Sequence, residues 1–228
     1  MPITPDNEII EYCENMEHGV ILCIGSGKQL KTGTMFAIGE QVENFKDRAS
    51  LFYRYPVDNT KQLRDLFPDM PKPDLIHKLG NSTRNDSKIY FDDLSQELQA
   101  RGSGLNTEIT KFQPKISHKR IIELGTVQNT ANTDIAFFRD QDLIMVHKWT
   151  HPTGISFERP EFARDCMTGN KKIVEAYNWL KDHGQIINPL YLSWVPRWHR
   201  ILVMIPPEWY GRRHTHALRY ATDGVIDV

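Results

Sequence analysis

Short apolar runs alternate with helix-like stretches along the first two thirds of the chain. Val20–Ile24 is an uninterrupted apolar run of strand length, and the apolar residues at 34–45 recur at helical spacing. The aromatic and apolar content of Ser50–Tyr55 predicts a second strand, whose pairing is ended by Pro56. The order of strand, loop, helix and strand predicts a β-α-β unit.

Three further apolar segments predict more strands of the same sheet. They lie at Lys88–Asp93, Arg120–Val127 and Leu143–His147, with helix-like stretches between them. Together, the five strands predict an α/β protein with a three-layered, mainly parallel sheet and right-handed crossovers. Ligands bind such sheets at the carboxyl ends of the strands, so we expect the polar residues that follow these strands to form the functional site.

The loop after the first strand has the sequence GSGKQLKT, residues 25–32, and resembles a phosphate-binding loop. Gly25, Lys31 and Thr32 match the first glycine, the lysine and the hydroxyl of G-x-x-x-x-G-K-[ST], whereas Leu30 occupies the second glycine position. In such a loop, backbone N–H groups bind phosphate, the lysine reaches the β- and γ-phosphates and the hydroxyl binds Mg²⁺. A turn that merely links a strand to a helix is the alternative. The predicted nucleotide-binding residues are Gly25, Ser26, Gly27, Lys28, Gln29, Leu30, Lys31, Thr32 and Gly33.

Two carboxylates end the apolar segment KIYFDD. In nucleotide hydrolases of the additional-strand type, a buried strand delivers an aspartate to Mg²⁺, and an acidic neighbour polarises the attacking water. We assign Asp92 to the metal, together with Thr32, and Asp93 to the water. The alternative is that both carboxylates cap the helix start that Leu94–Leu98 resembles.

Gln128 ends the strand that we expect beside the phosphate loop. Its amide can hydrogen-bond the γ-phosphate or the attacking water, and an ordinary turn residue is the alternative. We expect Gly25, Asp92 and Gln128 to lie at one edge of the sheet.

Length, charge and cysteine usage narrow the class of protein. The 228 residues fit one domain with a small appendage, and the formal net charge of −1 leaves only local patches for nucleic acid. Cys13, Cys23 and Cys166 lack C-x-x-C spacing, so neither a zinc site nor a disulfide framework is indicated. No apolar run approaches the ~20 residues of a membrane span, and the acidic N-terminus lacks the apolar core of a signal peptide. A soluble protein of a reducing compartment is predicted.

The character of the chain changes beyond Trp149. Residues 151–165 look like a loop, Asn170–His183 predicts a helix, and Ile201–Ile205 predicts an edge strand. We therefore divide the chain into an N-terminal lead-in (1–18), a core (19–149) and a C-terminal extension packed on the core (150–228).

Two basic clusters are candidates for contact with nucleic acid. The first is a turn before the fourth strand, and the second lies near the C-terminus among Trp209 and Tyr210. The second cluster could instead contact a neighbouring subunit, and the alternative to both is a lid on the core with solvated arginines. The candidate residues are Lys115, His118, Lys119, Arg120, Arg212 and Arg213.

The order of these motifs resembles the compact DNA-packaging ATPases of the HerA/FtsK superfamily from membrane-containing archaeal and bacterial viruses. The resemblance is carried by GSGKQLKT, by KIYFDDLSQELQARGSGLNTEI and by ISHKRIIELGTVQNTANTDIAFFR, and more weakly by IPPEWYGRRHTHALRY near the end. It covers about residues 19–149 and implies a P-loop NTPase core of the RecA-like, additional-strand type.

The resemblance implies ATP and Mg²⁺ as cofactors, with Lys31, Thr32, Asp92 and Asp93 binding them and Gln128 sensing the γ-phosphate. It also implies a homo-oligomeric ring, a pentamer or hexamer, that moves double-stranded DNA and contacts a capsid vertex or membrane protein, in the virion or host cytoplasm. In such rings an arginine reaches the neighbour's nucleotide, and the candidates are Arg101 and Arg139.

Two departures from the family pattern leave another function open. Leu30 replaces a glycine, and Asp93 replaces a glutamate, which shortens the reach to water by one methylene. Both changes favour slow turnover or a degenerate P-loop protein that acts as a scaffold. A small-molecule kinase is a third alternative, with residues 58–86 as its acceptor lid.

Overall fold

The computed structural model describes residues 7–94, 104–131, 133, 138, 141–185 and 188–207. The strands of these residues are β1 (Gly19–Ile24), β2 (Ala49–Tyr53), β3 (Asp74–Ile76), β4 (Ser87–Phe91), β5 (Ile122–Val127), β6 (Leu143–Val146), β7 (Leu192–Val195) and β8 (Arg200–Val203). They form one sheet in the order β3-β2-β4-β5-β1-β6-β7-β8. All neighbours from β3 to β6 are parallel, whereas β7 and β8 are antiparallel additions at one end. The predicted, mainly parallel sheet is confirmed.

Helices cover both faces of the sheet. They are α1 (Asn7–Glu14), α2 (Lys31–Gln41), α3 (Glu43–Lys46), α4 (Thr60–Leu66), α5 (Gly104–Phe112), α6 (Ile116–Lys119) and α7 (Pro160–Asp182), with 3₁₀ turns at Gln113–Lys115, Pro152–Phe157, Pro189–Tyr191 and Pro196–Trp198. Along β1, Ile21 and Cys23 face one apolar core, and Val20, Leu22 and Ile24 face the other. A strand buried on both faces is apolar throughout, which explains the uninterrupted run. The predicted three layers are confirmed.

The order of the central strands determines where the candidate functional site lies. β5 lies between β1 and β4, with Ile24 opposite Val127 and Phe91 opposite Gly125. Because all three strands are parallel, the residues that follow them meet at one edge of the sheet.

A buried lysine holds the far end of α2 onto the sheet. Lys88 of β4 is fully buried, and its Nζ donates hydrogen bonds to the main-chain oxygens of Gly39 (2.6 Å) and Lys46 (3.3 Å). The same ammonium pairs with Glu40 at 2.6 Å, and the hydroxyl of Tyr90 donates to this carboxylate at 2.9 Å. The helix that follows the phosphate loop is therefore fixed at its carboxyl end.

The C-terminal half differs from the sequence prediction in two elements. The helix α7 begins at Pro160 and not at Asn170, so the interpretation of 160–165 as loop is wrong. Pro160 occupies the first turn, where proline is tolerated, and Phe162 and Cys166 continue the buried stripe. The strands β3 and β7 were not predicted, because three or four residues carry too little of the period-2 pattern.

Other predicted elements are confirmed or lie outside the described residues. The edge strand predicted at Ile201–Ile205 is β8, which ends the sheet. The helices predicted after Leu94 and at 133–139 lie mostly outside the described residues. No helix in the described part of the chain combines the length and the apolar composition that a bilayer crossing requires.

Candidate active site

The loop between β1 and α2 needs backbone conformations that favour glycine. Gly25 has φ 153°, and a Cβ there would lie 2.9 Å from the Cβ of His147. Leu30 has φ 57° in the left-handed region, directly before the first residue of α2. Leu30, at the position of the second glycine in G-x-x-x-x-G-K-[ST], therefore adopts a conformation that costs an L-residue roughly 1–2 kcal/mol. The side chain of Leu30 packs against an apolar core, which offsets part of this cost.

The segment after β6 anchors the loop from the side. The hydroxyl of Ser26 is 3.1 Å from that of Thr150, and it accepts a hydrogen bond from the Thr150 main-chain nitrogen at 3.1 Å. The amide of Gln29 donates to the Thr150 hydroxyl at 3.2 Å. The sequence did not single out Thr150, because 124 residues separate it from Ser26.

Lys31, the first residue of α2, is buried and has few partners. Its side chain is 6% exposed, and its Nζ donates to the main-chain oxygen of Ser26 at 2.7 Å. No other hydrogen bond or ion pair of this ammonium occurs within the described ranges. Burial lowers the pKa of Lys31 to about 8, against the opposing charges of Asp93 and Asp92. The predicted lysine and carboxylates therefore lie within electrostatic reach of each other.

Asp92 receives hydrogen bonds from hydroxyls on two elements. Thr32, in the first turn of α2, donates to Asp92 Oδ1 at 2.8 Å, and Thr126 of β5 donates to the same oxygen at 3.1 Å. The hydroxyl and the carboxylate predicted to bind Mg²⁺ are thus in direct contact. Thr126 was not predicted as a site residue, although it precedes Gln128 in the TVQ segment.

Asp93 and Gln128 form a second pair beside the loop. Gln128 Nε2 donates to Asp93 Oδ2 at 2.8 Å, and the main-chain nitrogen of Asp93 donates to the hydroxyl of Thr126 at 2.7 Å. A Cβ on Gly27 would lie 3.4 Å from Gln128 Oε1, so this amide lies against the phosphate loop. The structure therefore brings together the predicted water-polarising and sensing residues.

His147 lies beneath the loop and was not predicted. It is 1% exposed, and neither ring nitrogen makes a hydrogen bond of ordinary geometry. Burial, and next the charge of Lys31, lower the pKa of His147 to about 3, against a smaller opposing effect of the Gln29 main chain. The ring is therefore neutral at physiological pH. The sequence carries no motif for this position, because His147 lies against a loop more than 100 residues away in the chain.

The donor set fits a magnesium ion that is also held by a nucleotide. Within the described residues, no group of three or more His, Cys, Asp and Glu side chains could hold a metal ion. Mg²⁺ is usually bound by one or two protein oxygens together with substrate phosphates and water. Thr32 and Asp92 would hold it, and its chemistry would be to neutralise phosphate charge.

The basic turn at residues 115–120 lies at the amino ends of the parallel strands, away from the loop that follows β1. Lys119 Nζ donates to the main-chain oxygens of Asn81 (2.9 Å) and Thr83 (2.7 Å), and Arg120 pairs with Asp86 at 2.8 Å. The turn precedes β5, whereas the phosphate loop follows β1, so the two lie at opposite ends of parallel strands. The remaining predicted residues Arg101, Arg139, Arg212 and Arg213 lie outside the described part of the chain.

Two solved structures share this architecture. The DNA-packaging ATPase B204 from Sulfolobus turreted icosahedral virus matches with a TM-score of 0.50 and 12% identity, over 83% of this chain and 98% of that chain. The chain has the fold of a viral packaging ATPase. B204 from Sulfolobus turreted icosahedral virus 2, solved in complex with sulfate, matches with a TM-score of 0.50 and 11% identity, over 84% of this chain and 98% of that chain. The predicted resemblance to this class of proteins is thus confirmed for the fold.

The likeness to B204 lies in the architecture and not in the sequence. No model of a known protein family matches the chain, and no curated protein matches it. At 11–12% identity, the B204 fold by itself assigns no reaction to this chain. The function has to be argued from the residues at the sheet edge.

Proposed function

We propose that this protein hydrolyses ATP with Mg²⁺ at the edge where β1, β4 and β5 end. The proposal is carried by one arrangement, in which Thr32 and Thr126 both donate to Asp92 while Lys31 lies buried at the start of α2. A lysine, a hydroxyl and a carboxylate at the carboxyl ends of adjacent strands are the parts of a P-loop nucleotide site.

Each residue has a role that follows from its position. The ammonium of Lys31 exchanges the Ser26 oxygen for the β- and γ-phosphate oxygens and stabilises their negative charge. Thr32 and Asp92 hold Mg²⁺. The carboxylate of Asp93 accepts a hydrogen bond from the attacking water, and Gln128, which donates to Asp93 at 2.8 Å, orients both the carboxylate and the water.

The wider role that we propose is packaging of viral double-stranded DNA by a homo-oligomeric ring. Support comes from the fold shared with B204, which is described as a DNA-packaging ATPase. In the ring, an arginine from one subunit completes the next subunit's site, and Arg101 and Arg139 are the candidates. A capsid vertex or membrane protein is the proposed docking partner, in the virion or the host cytoplasm.

The test is phosphate release by the purified full-length chain, with ATP and Mg²⁺, in the presence and absence of double-stranded DNA. We expect Mg²⁺-dependent release that DNA stimulates and that Asp92→Asn abolishes, because the amide loses the negative charge that attracts the metal. Release no higher than that of Asp92→Asn under all conditions would contradict the ATPase proposal. Release without stimulation by DNA would contradict the packaging role alone.

A second candidate function is a degenerate P-loop protein that acts as a scaffold. It is favoured by the strained Leu30 and by the hydrogen bond of Lys31 to its own loop, which uses one of the three donors of the ammonium. Thermal unfolding with and without ATP and Mg²⁺ distinguishes the two functions. Ligand at about 100 times its Kd stabilises the folded state by ~2.7 kcal/mol, whereas a loop that binds no nucleotide gives no shift.

A further inference from the structure

A cavity of about 400 Å³ lies at the β3 end of the sheet, distant in strand order from the phosphate loop. Its apolar floor includes Leu51 and Ile76, which align on one face of paired strands. Three cationic side chains line it, from α4, from the residue two positions before β3 and from the β3–β4 loop. These are Arg64, Lys72 and Arg84.

The charges of these three residues are largely uncompensated. Arg64 donates through Nε to the neutral main-chain oxygen of Pro73 at 3.3 Å. Lys72 and Arg84 are exposed and have no ion pair with any described carboxylate. One carboxylate, Asp74, lines the cavity, and its Oδ1 accepts a hydrogen bond from the hydroxyl of Thr60 at 2.9 Å.

The basic turn at 115–120 supports the loop that presents Arg84. Lys119 donates to two main-chain oxygens of this loop and to Asn85 Oδ1 at 3.2 Å, and Lys115 donates to Asn81 Oδ1 at 3.0 Å. All these acceptors are neutral, so these contacts do not compensate the positive charge of either lysine. The exception in the turn is Arg120, whose charge is paired with Asp86. The three donors of Lys119 are used within the protein, so this lysine contributes its charge and not a direct phosphate contact.

We name five cations of this region the basic ledge: Arg64, Lys72 and Arg84, which line the cavity, and Lys115 and Lys119, which donate to the loop that carries Arg84. The residues of the ledge lie around the edge strand β3 and around the β3–β4 loop, to which Lys119 donates hydrogen bonds. These cations lie on a helix, before a strand and in a loop. Such a spread suits a polymer with repeated phosphates better than it suits one small anion.

We propose that the basic ledge binds the phosphodiester backbone of nucleic acid through sequence-independent ionic contacts. The proposal rests on the DNA-packaging function proposed above and gives that partner a surface on this chain. It keeps Lys115 and Lys119 of the predicted turn, adds the three cations that line the cavity and leaves out Arg120, which pairs with Asp86.

The experiment measures binding of fluorescein-labelled double-stranded DNA by polarisation, from low to physiological salt, with the full-length chain. The test variant combines Lys72→Ala and Arg84→Ala. The control combines Lys171→Ala and Lys172→Ala, which removes the same charge from two exposed lysines paired with Glu175 on α7. Melting temperatures of all proteins verify folding.

We expect the test variant to bind DNA roughly 10- to 100-fold more weakly at 0.1 M salt, and its log–log salt slope to fall by about 1.8, because each phosphate contact contributes ~0.9. The control should keep the wild-type affinity and slope. A test variant with wild-type affinity and salt slope would contradict DNA binding by the ledge. Displacement of labelled DNA by polyglutamate as effectively as by unlabelled DNA would also contradict it. If the wild-type protein binds ATP but no DNA, the proposed role of the ledge is wrong and the ATPase proposal stands. If it fails to bind ATP, that result counts against the proposed function instead.

Discussion

The two ends of α2 each hold a buried lysine, and the two lysines have opposite surroundings. At the carboxyl end, Lys88 is 0% exposed and is satisfied by Glu40 at 2.6 Å and by two main-chain oxygens. At the amino end, Lys31 is 6% exposed and donates to one main-chain oxygen, that of Ser26. Burial lowers the pKa of both lysines, and for Lys31 the value is about 8.

The difference separates a cation that holds two elements together from one that we propose binds a ligand. A buried charge with a complete set of partners holds two elements together, and removing it leaves its partner carboxylate unpaired. A buried charge with one neutral partner lowers stability until an anion arrives. Lys31 is therefore the group whose electrostatics a triphosphate would complete, whereas Lys88 has no capacity left for a ligand.

The largest effect is expected for Lys88→Met, which keeps the side-chain length and removes the charge. Breaking a buried ion pair leaves Glu40 uncompensated and costs about 3–5 kcal/mol of unfolding free energy. Urea unfolding measures this loss. The control is Lys46→Met, because Lys46 also pairs at 2.6 Å, with Glu43, but both side chains are exposed. A control loss as large as that of Lys88→Met would show that burial does not decide the effect.

We expect Lys31→Met to lower ATP turnover and not the unfolding free energy, the opposite of Lys88→Met. We expect ATP turnover to fall at least ~100-fold, about 2.7 kcal/mol of transition-state stabilisation, because the phosphate charge loses its cation. The unfolding free energy should stay level or rise, since an under-partnered buried charge is removed. Phosphate release and urea unfolding of the same preparation measure both quantities. The exposed Lys181→Met serves as the activity control, and strong destabilisation by Lys31→Met would contradict the comparison.

The pH dependence of nucleotide binding sharpens the comparison further. Under the proposed function, ATP binds to Lys31 in its charged form, and the folded pKa of this residue, about 8, lies below the ordinary 10.5. As pH rises through 8 the ammonium loses its proton, so the affinity should fall up to about tenfold per pH unit, ~1.4 kcal/mol. Titration of a fluorescent ATP analogue between pH 6.5 and 9.5 measures this fall. Lys31→Arg keeps its charge throughout this range and should flatten the profile, whereas an equally steep profile would assign the titration to another group.

The smallest effect concerns Leu30, at the amino end of the same helix. Leu30→Gly should be more stable than Leu30→Ala by about 1 kcal/mol, although alanine keeps more side chain, because only glycine adopts φ 57° without strain. Thermal or urea unfolding of both variants measures the difference. At the exposed helical position Asn178 in α7, the order of Gly and Ala should reverse. The same order at both positions would remove the evidence for strain at Leu30.

Local pattern was enough to predict the loop and its partners on β4 and β5. Gly25, Lys31 and Thr32 stand within eight residues, between an apolar strand and an apolar helix, and Asp92 directly follows a buried strand. Buried strands and phosphate loops have short-range signatures, which one sequence displays. Thr150 and His147 have none, because their roles depend on a loop more than 100 residues away.

The sequence by itself determined the central strands, the loop between β1 and α2 and the acids that follow β4, because burial periodicity and turn chemistry act over a few residues. The tertiary structure decided which strands became neighbours, and hence that Thr126 meets Asp92 and that Gln128 meets Asp93. It also decided that Glu40 meets Lys88 while Lys31 has no carboxylate in direct contact among the described residues. Such pairings arise from packing between distant segments, and the residue types alone do not specify them.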